Sequence, residues 1–506
     1  MSKGIEQPTR PFIPYSLCIL LYVCVWLQVF IARNVTLDTI LLYILGSCMA
    51  AALGLWYVKY THISPMTVGT VLLLLVIIFI RSSFIYASQM ASVDLLESTA
   101  IHDFELIVSR DLVYKNHTWT GQANVMYQGR CIGSVGLHAK EPFLRETHLC
   151  CEGRFTQYKD KEFSEEQFKK GVLGSIQITK VNSKTYGEGI IGEVAQFREN
   201  CISQLQPEQS FGRALVACGL CAYRPSLYSF NIPRIFMRCG LMHLIAISSC
   251  HMVILSAFID AFLKKLTIKP LLRGVVNLFL LSSYALFCGL PASAIRAILL
   301  VEQKYVMQYV GRKNHTLSAV SIVALFMLCI DPQLSVNIAF TLSLACIFGM
   351  NIYGGLAQYY AKSAFHISGY GKIQKILKKP FSDVRNTMCA TTVAQLSCLP
   401  ISCMYFGHFS LLAPLSSALI TSLFSLLSLF GIGAIALCLF KPAQDVVFCL
   451  VDFLGQFIET LTSFLSERSF ASVSLTDMSW IVSLLVFAAM VALYVFWPKG
   501  KRVVLS

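Results

Sequence analysis

Three apolar runs follow one another inside the first 85 residues: PYSLCILLYVCVWLQVFIA, TLDTILLYILGSCMAAALGLWYV and MTVGTVLLLLVIIFI. They restrict the fold more than any other feature, because roughly 20 mostly apolar residues make a helix long enough to cross a bilayer. The first run is too long for a cleavable leader and lacks a small-residue cleavage site, so a retained span is expected. The rest of the chain keeps this character, with 56% hydrophobic and only 13% charged residues among 506. Soluble domains carry about 25% charged residues. An ordinary soluble protein is thereby excluded, and a polytopic α-helical membrane protein is expected.

A polar insert interrupts the apolar pattern from about Ala87 to Pro207. Within it FELIVSRDLV, GQANVMYQGR, CIGSVGLH, ETHLCCEGRFTQY and LGSIQITKV read as strands separated by polar or glycine-containing turns. Five short strands in about 80 residues predict a small Greek-key barrel of the OB type. IIGEVAQFRENCISQL then shows helical spacing and leads back toward the membrane. Apolar segments return at about 234–262, 274–291, 293–309, 316–330, 334–353, 386–405, 411–440 and 479–497. Several are broken, as in CGLPASAIRA and QLSCLPISC, which is tolerated at membrane depth where the chain lines a cavity or packs in protein. The stretch 445–466 differs: Asp445, Asp452 and Glu459 recur every seven residues, predicting an amphipathic helix along the interface. The expected organisation is three N-terminal spans in 1–86, an extracytoplasmic OB-like domain in 87–207 and a multi-span domain in 208–506.

Charge is unevenly placed. Residues 88–230 hold 15 Lys and Arg against 16 Asp and Glu, and the remainder holds 26 against 11. Much of that excess lies in short connectors, FLKKLTIKPLLR, VGRKNH and GKIQKILKKP. They read as cytoplasmic anchors under the positive-inside rule, or as a polyanion-binding surface at the inner mouth of a pore. Lys3, Arg10 and Lys59 place the N-terminus inside and the insert outside.

Polar groups inside apolar segments are the candidates for chemistry. In RCGLMHLIAISSCHM, Ser248 and His251 stand about 60° apart on a helix, and His243 about 80° from His251. This is a stripe without the orienting acid a Ser–His catalyst needs, so helix–helix hydrogen bonding or a polar path is expected in place of hydrolysis. Arg296 sits inside a span, where a charge costs about 2.5–3.5 kcal/mol and calls for a partner or a watery cavity. Arg224 and Arg238 lie near the re-entry point, placed to attract an anion or to sit at the interface. In the insert, Tyr127, Phe155, Tyr158, Lys159 and Lys161 are types suited to guiding a single strand, although the aromatics serve equally as barrel core. The 19 cysteines include a Cys218–Cys221 CxxC without further ligands, and Cys131, which could form a disulfide with Cys150 or Cys151 outside the cytoplasm. HxH, HExxH and GxxxxGK[ST] are absent from the sequence, so no metal, cofactor, enzymatic step or built-in ATP motor is expected.

FMRCGLMHLIAISSCHMVIL resembles the signature of the ComEC family of competence proteins, membrane channels for DNA uptake, which reads approximately (T)GLxHLLAxSGLHV. Gly240, Leu241, His243, Leu244, Ala246, Ser248 and His251 occupy the matching positions. Three more segments follow in family order: Gly289, Ser293, Arg296 and Ala297; Asp331, Pro332, Phe340, Leu342 and Ser343; Pro400, Phe406, Gly407 and Ser410. EFSEEQFKKGVLGSI is similar to a step in the family's insert. Ser249 stands where the family has glycine, and Cys221-Ala222-Tyr223-Arg224 keeps only the arginine of a G-D-R element.

The resemblance implies passage of single-stranded DNA through the plasma membrane of a bacterium during natural transformation. His243, Ser248, His251, Arg296, Arg224 and Ser343 would line or shape the path. With no HxHxDH in the sequence, the expected form lacks the C-terminal metallo-β-lactamase-like domain of many members. A separate nuclease and a motor or gradient are then implied, with a homo-oligomer as a further possibility. Two other readings stay open: a transporter of another anionic or lipid-linked substrate, and a membrane-anchored OB module that binds a partner.

Overall fold

The computed structural model describes residues 65–98, 103–115, 117–158, 167–168, 171–187, 189–245, 249–311, 316–364, 372–406, 408–437, 440–468, 472–474 and 489. The first two expected spans, Lys159, Lys161, Ser248 and nearly all of the run 479–497 lie outside these residues.

The polar insert folds as a closed five-stranded barrel of β1 (Asp103–Lys115), β2 (Thr118–Tyr127), β3 (Arg130–Ala139), β4 (Thr147–Thr156) and β5 (Val172–Tyr186). The order around it is β1-β2-β3-β5-β4, with β3 and β5 parallel and the other pairs antiparallel. Period-two alternation decides what goes inside. On β4, Thr147, Leu149, Cys151 and Gly153 are buried while Cys150 and Arg154 face out. Leu106, Val108, Val135, Leu137 and Ile176 fill the centre, so the barrel is a packed core.

Strand register rules out the expected disulfide. Cys150 lies opposite Glu105, Glu105 opposite Met126, and Met126 opposite Cys131. Cys131 and Cys150 therefore stand three strand spacings apart, about 14 Å at roughly 4.8 Å per strand. A disulfide needs Cα atoms within about 7 Å. Cys151 points to the opposite, inner face, and all three are free thiols.

Helix α1 (Pro65–Ser98) precedes the barrel; α2 (Ile190–Leu205), α3 (Phe211–Cys221), α4 (Pro225–Ser229), α5 (Ile232–Cys239) and α6 (Met242–Ile245) follow it. Then come α7 (Ser249–Lys265), α8 (Pro270–Phe287), α9 (Ala292–Tyr309) and α10 (Thr316–Ile330). A 3-10 turn (Pro332–Val336) leads to α11 (Ile338–Ala364), α12 (Lys372–Phe406), β6 (His408–Ser410), α13 (Ala413–Ala436), α14 (Lys441–Ser466) and β7 (Ser472–Ser474), which pairs with β6. Among the described residues five helices are long and apolar enough to cross a membrane: Val76–Glu97 within α1, α8, Ile338–Gly355 within α11, α13 and α14.

Two expectations change. The apolar segment 234–262 is broken near its start, because Gly240 takes φ +72° and ends α5 before α6. By length and composition α14 joins the candidate spans, where the sequence predicts an interfacial helix. Its buried stripe, Phe448, Val451, Ile458 and Leu465, packs on α3 and α13. Asp452, part of the acidic repeat, is engaged by Arg213 of α3, Nε to Oδ1 at 3.0 Å and Nη2 to Oδ2 at 2.8 Å.

The barrel sits against helix ends. Arg145, between β3 and β4, donates through Nη2 to the Phe287 carbonyl at 2.8 Å, the last turn of α8. Gly171, just before β5, lies against Gln333 of the 3-10 turn. Helix α8, with 18 residues, is about 27 Å long at 1.5 Å per residue. Its other end therefore lies well away from the barrel, and there Lys264 and Arg273 share Asp260 at 2.7 Å each, with Lys265 and Lys269 beside them.

Candidate functional site

The four motif segments, scattered between residues 238 and 416, close on one another in a ring. Met252 of α7 packs with Ala294, Ala297 and Ile298 of α9. The other side of α9, Ala292, Ile295 and Leu299, packs in a cluster with Phe340 and Leu344 of α11. Helix α11 meets α12 where the Cys398 thiol donates to the Leu342 carbonyl at 3.3 Å. The end of α12 leads to Ser410, whose hydroxyl donates to the Arg238 carbonyl at 2.9 Å, and Ser416 donates to the Cys239 carbonyl at 2.6 Å. Those carbonyls belong to the end of α5, so the ring returns to its first segment.

Individual motif residues serve this closure. At Gly240 a methyl group would overlap Ala413 and crowd Ser410, and the positive φ disfavours any side chain. Gly289, also at positive φ, leaves the space that the Arg145 guanidinium occupies. Asp331 caps the 3-10 turn by accepting from the Gln333 amide at 3.0 Å. Asn337 caps α11 through the Ala339 amide at 3.0 Å. Phe340 and Leu241 are fully buried.

Arg296 is 1% exposed, a fully buried charge. With 100° per residue it lies about 60° from Leu299 and 40° from Ala292, on the α11 side of α9. His243 is exposed, and Ser343 is half-buried on α11. Only the backbone of His251 is described, within α7. In the barrel, Tyr127 is exposed at the end of β2. Phe155 packs against the core and over Gly174, and Tyr158 lies over Gly136, where burial pushes its phenol up. Those two aromatics belong to the barrel's packing, and Tyr127 is the one left facing out.

Sequence reasoning missed the seam between barrel and helices. Asp111 of β1 accepts from both terminal nitrogens of Arg198 on α2, Nη1 at 3.0 Å and Nη2 at 2.5 Å, and from the Arg145 amide at 2.9 Å. Arg198 also donates through Nε to the Cys221 carbonyl at 2.7 Å, the end of α3. Burial alone would lower the Arg198 pKa, and the charge and hydrogen bonds of Asp111 more than reverse that. Arg145 is shifted down by burial first, then by Arg198. A further miss is Tyr114, 54% exposed, whose ring tilts against Trp119 across the β1–β2 hairpin with centroids 5.3 Å apart. The signal for both lay in pairs too far apart in sequence, or too irregular in spacing, to show a period.

These features define a class: a predominantly helical protein with several helices of membrane-crossing length, carrying a small closed barrel clamped to helix ends. The chain belongs to the competence protein family, of the ComEC kind. The family model described as Competence protein matches residues 226–500, more than half of the chain and all four motif segments. No curated protein and no solved structure matches it.

Proposed function

We propose that this protein passes single-stranded DNA across the cytoplasmic membrane during natural transformation, acting as a multi-pass channel. The observation that carries the reading is the closed ring of the four motif segments, in which α9 carries the buried Arg296, at the side of a barrel. A polyanion is drawn along its path by cationic groups. The strand order of the barrel, with its parallel β3–β5 closure, fits an OB-type module, a fold that supplies grooves and stacking faces to single strands. Tyr127 and Tyr114, the latter tilted against the half-buried Trp119, are the exposed faces suited to that work.

The orientation follows from charge. Lys264, Lys265, Lys269 and Arg273 cluster at helix ends away from the barrel, which supports a cytoplasmic position for that end and an outside position for the barrel. The roles of His243, Ser248, His251, Arg296, Arg224 and Ser343 are electrostatic and steric, with no covalent step. A separate nuclease and a motor or gradient complete the pathway.

Labelled-DNA uptake in a deletion strain tests the reading. Complementation by the wild-type gene restores uptake, Arg296→Ala does not, and Arg296→Lys recovers part of it. Uptake unchanged by deletion would sink the proposal. Full rescue by Arg296→Ala would remove that residue from the path.

A further inference from the structure

Helices α11 and α12 meet through small groups. Gly349 of α11 faces Ser397 of α12 so closely that a methyl group at Gly349 would overlap the serine side chain. The Ser397 hydroxyl turns back on its own helix, donating to the Val393 carbonyl at 2.7 Å. One residue on, the Cys398 thiol crosses the joint and donates to the Leu342 carbonyl at 3.3 Å. In an α-helix that carbonyl also accepts from the amide four residues on, which is that of Cys346. The Cys398 sulfur therefore lies beside the turn that ends at Cys346.

Leu342, Cys346 and Gly349 share one face of α11. At 100° per residue Cys346 stands about 40° from Leu342, and Gly349 about 60° from Cys346. Cys346 is thus set between two points at which α11 touches α12, and its thiol is the side-chain partner of Cys398. Both sulfurs are free thiols and half-buried, which leaves them open to a small solute. The charge of Arg296 reaches the same Cys346, so the pair sits beside the buried cation of α9.

Two thiols facing each other across a helix joint need only lose two hydrogens to become a covalent tie. A disulfide requires Cα atoms within about 7 Å, and the glycine-to-serine approach one turn away brings the two backbones close. Peroxide is an oxidant small enough to enter. One thiolate attacks a peroxide oxygen, the O–O bond breaks, and a sulfenic acid and one water result. The second thiol attacks the sulfenic sulfur, the S–S bond forms, and the oxygen leaves as a second water. Two sulfurs together give up two electrons, and peroxide takes them.

We infer that Cys346 and Cys398 form a redox-sensitive tie, which peroxide closes between α11 and α12 to arrest the ring beside Arg296. The unoxidised joint is held by a thiol hydrogen bond and small-group contacts, which can part and re-form. A disulfide removes that freedom until a reductant restores the thiols. The arrest of transport rests on the DNA reading above, and the tie itself does not.

The test treats the full chain in phosphatidylcholine nanodiscs with hydrogen peroxide, followed by alkylation, digestion and mass spectrometry. The expected product is the Cys346 peptide joined to the Cys398 peptide, lighter than the two free peptides by two hydrogens and released by dithiothreitol. Cys346→Ser removes this product. Cys389→Ser, about 180° from Cys398 on α12, leaves it in place. Peroxide that leaves both thiols free, or carries either into a sulfinic acid or a bond with another cysteine, overturns the tie. In cells, peroxide is expected to abolish uptake by the wild type, dithiothreitol to restore it, and Cys346→Ser to keep its uptake throughout. Equal loss in wild type and Cys346→Ser, or joined peptides with uptake intact, overturns the arrest. Uptake unchanged by deletion overturns the DNA reading and with it the arrest, whereas the tie stands or falls on the peptides.

Discussion

Replacing Asp111 by Ala is the sharpest probe of how the barrel is held to the helices. The carboxylate accepts three hydrogen bonds, two from Arg198 and one from the Arg145 amide. Its side chain is 7% exposed and that of Arg198 is 3% exposed, so water cannot replace what is lost. Removing one partner of such a buried pair costs about 3–5 kcal/mol, because the remaining charge is stranded. The Arg213–Asp452 pair is a milder case: Asp452 is 36% exposed, while Arg213 is 12% exposed and Ser210 also donates to the carboxylate, so Asp452→Ala should cost less than Asp111→Ala. A thiol-reactive dye that reports thermal unfolding suits the protein, because Cys201, Cys218, Cys221 and Cys239 are buried in the core beside the seam. Asp111→Ala is expected to melt well below wild type, and Asp452→Ala between the two. The double variant Asp111→Ala/Arg198→Met leaves no stranded charge and should recover most of the loss, since apolar replacement of a buried pair is often neutral. If Asp111→Ala melts with wild type, or the double variant is no better than the single, the reasoning about the clamp is wrong.

Two further perturbations follow from local geometry. Gly240→Ala forces a side chain onto a φ of +72° and into Ala413. The backbone strain alone costs about 1–2 kcal/mol. Folded yield and DNA uptake are both expected to fall, Gly240→Ala/Ala413→Gly should restore part of each, and full activity of the single variant would contradict the ring closure. The cysteines of the barrel divide by exposure. Maleimide at pH 8 should modify Cys131 and Cys150 and spare Cys151, whose thiol is pushed up from 9.0 to about 12 by burial, then by Cys150 and Asp103. Because the folded value is the higher one, the neutral thiol stabilises the barrel fully below pH 9 and that contribution disappears as pH rises toward 12. Peptide mapping after labelling checks this, and equal modification of Cys150 and Cys151 at pH 8 would refute it.

The sequence by itself determined the elements. Five strands fall where period-two alternation and turn residues put them, and α2 covers the same IIGEVAQFRENCISQL that shows helical spacing. Four of the five helices of membrane-crossing length follow from apolar runs in the same way, α14 being the exception. These signals are local, because backbone periodicity needs only neighbours a few residues apart. The order of the four motifs was also legible, and the family match covers all of them.

What the tertiary structure alone decided are relations between distant residues. Closure of the barrel in the order β1-β2-β3-β5-β4 separates Cys131 from Cys150, although their spacing in sequence suits a disulfide. The same closure turns Phe155 and Tyr158 into packing groups and leaves Tyr114 and Tyr127 outside. Asp111 and Arg198 are 87 positions apart, and Ser416 and Cys239 are 177 apart. No period in the chain announces such pairs. They form because buried charges and hydroxyls must find partners once water is excluded, and which partner is within reach depends on how the helices and barrel have already packed.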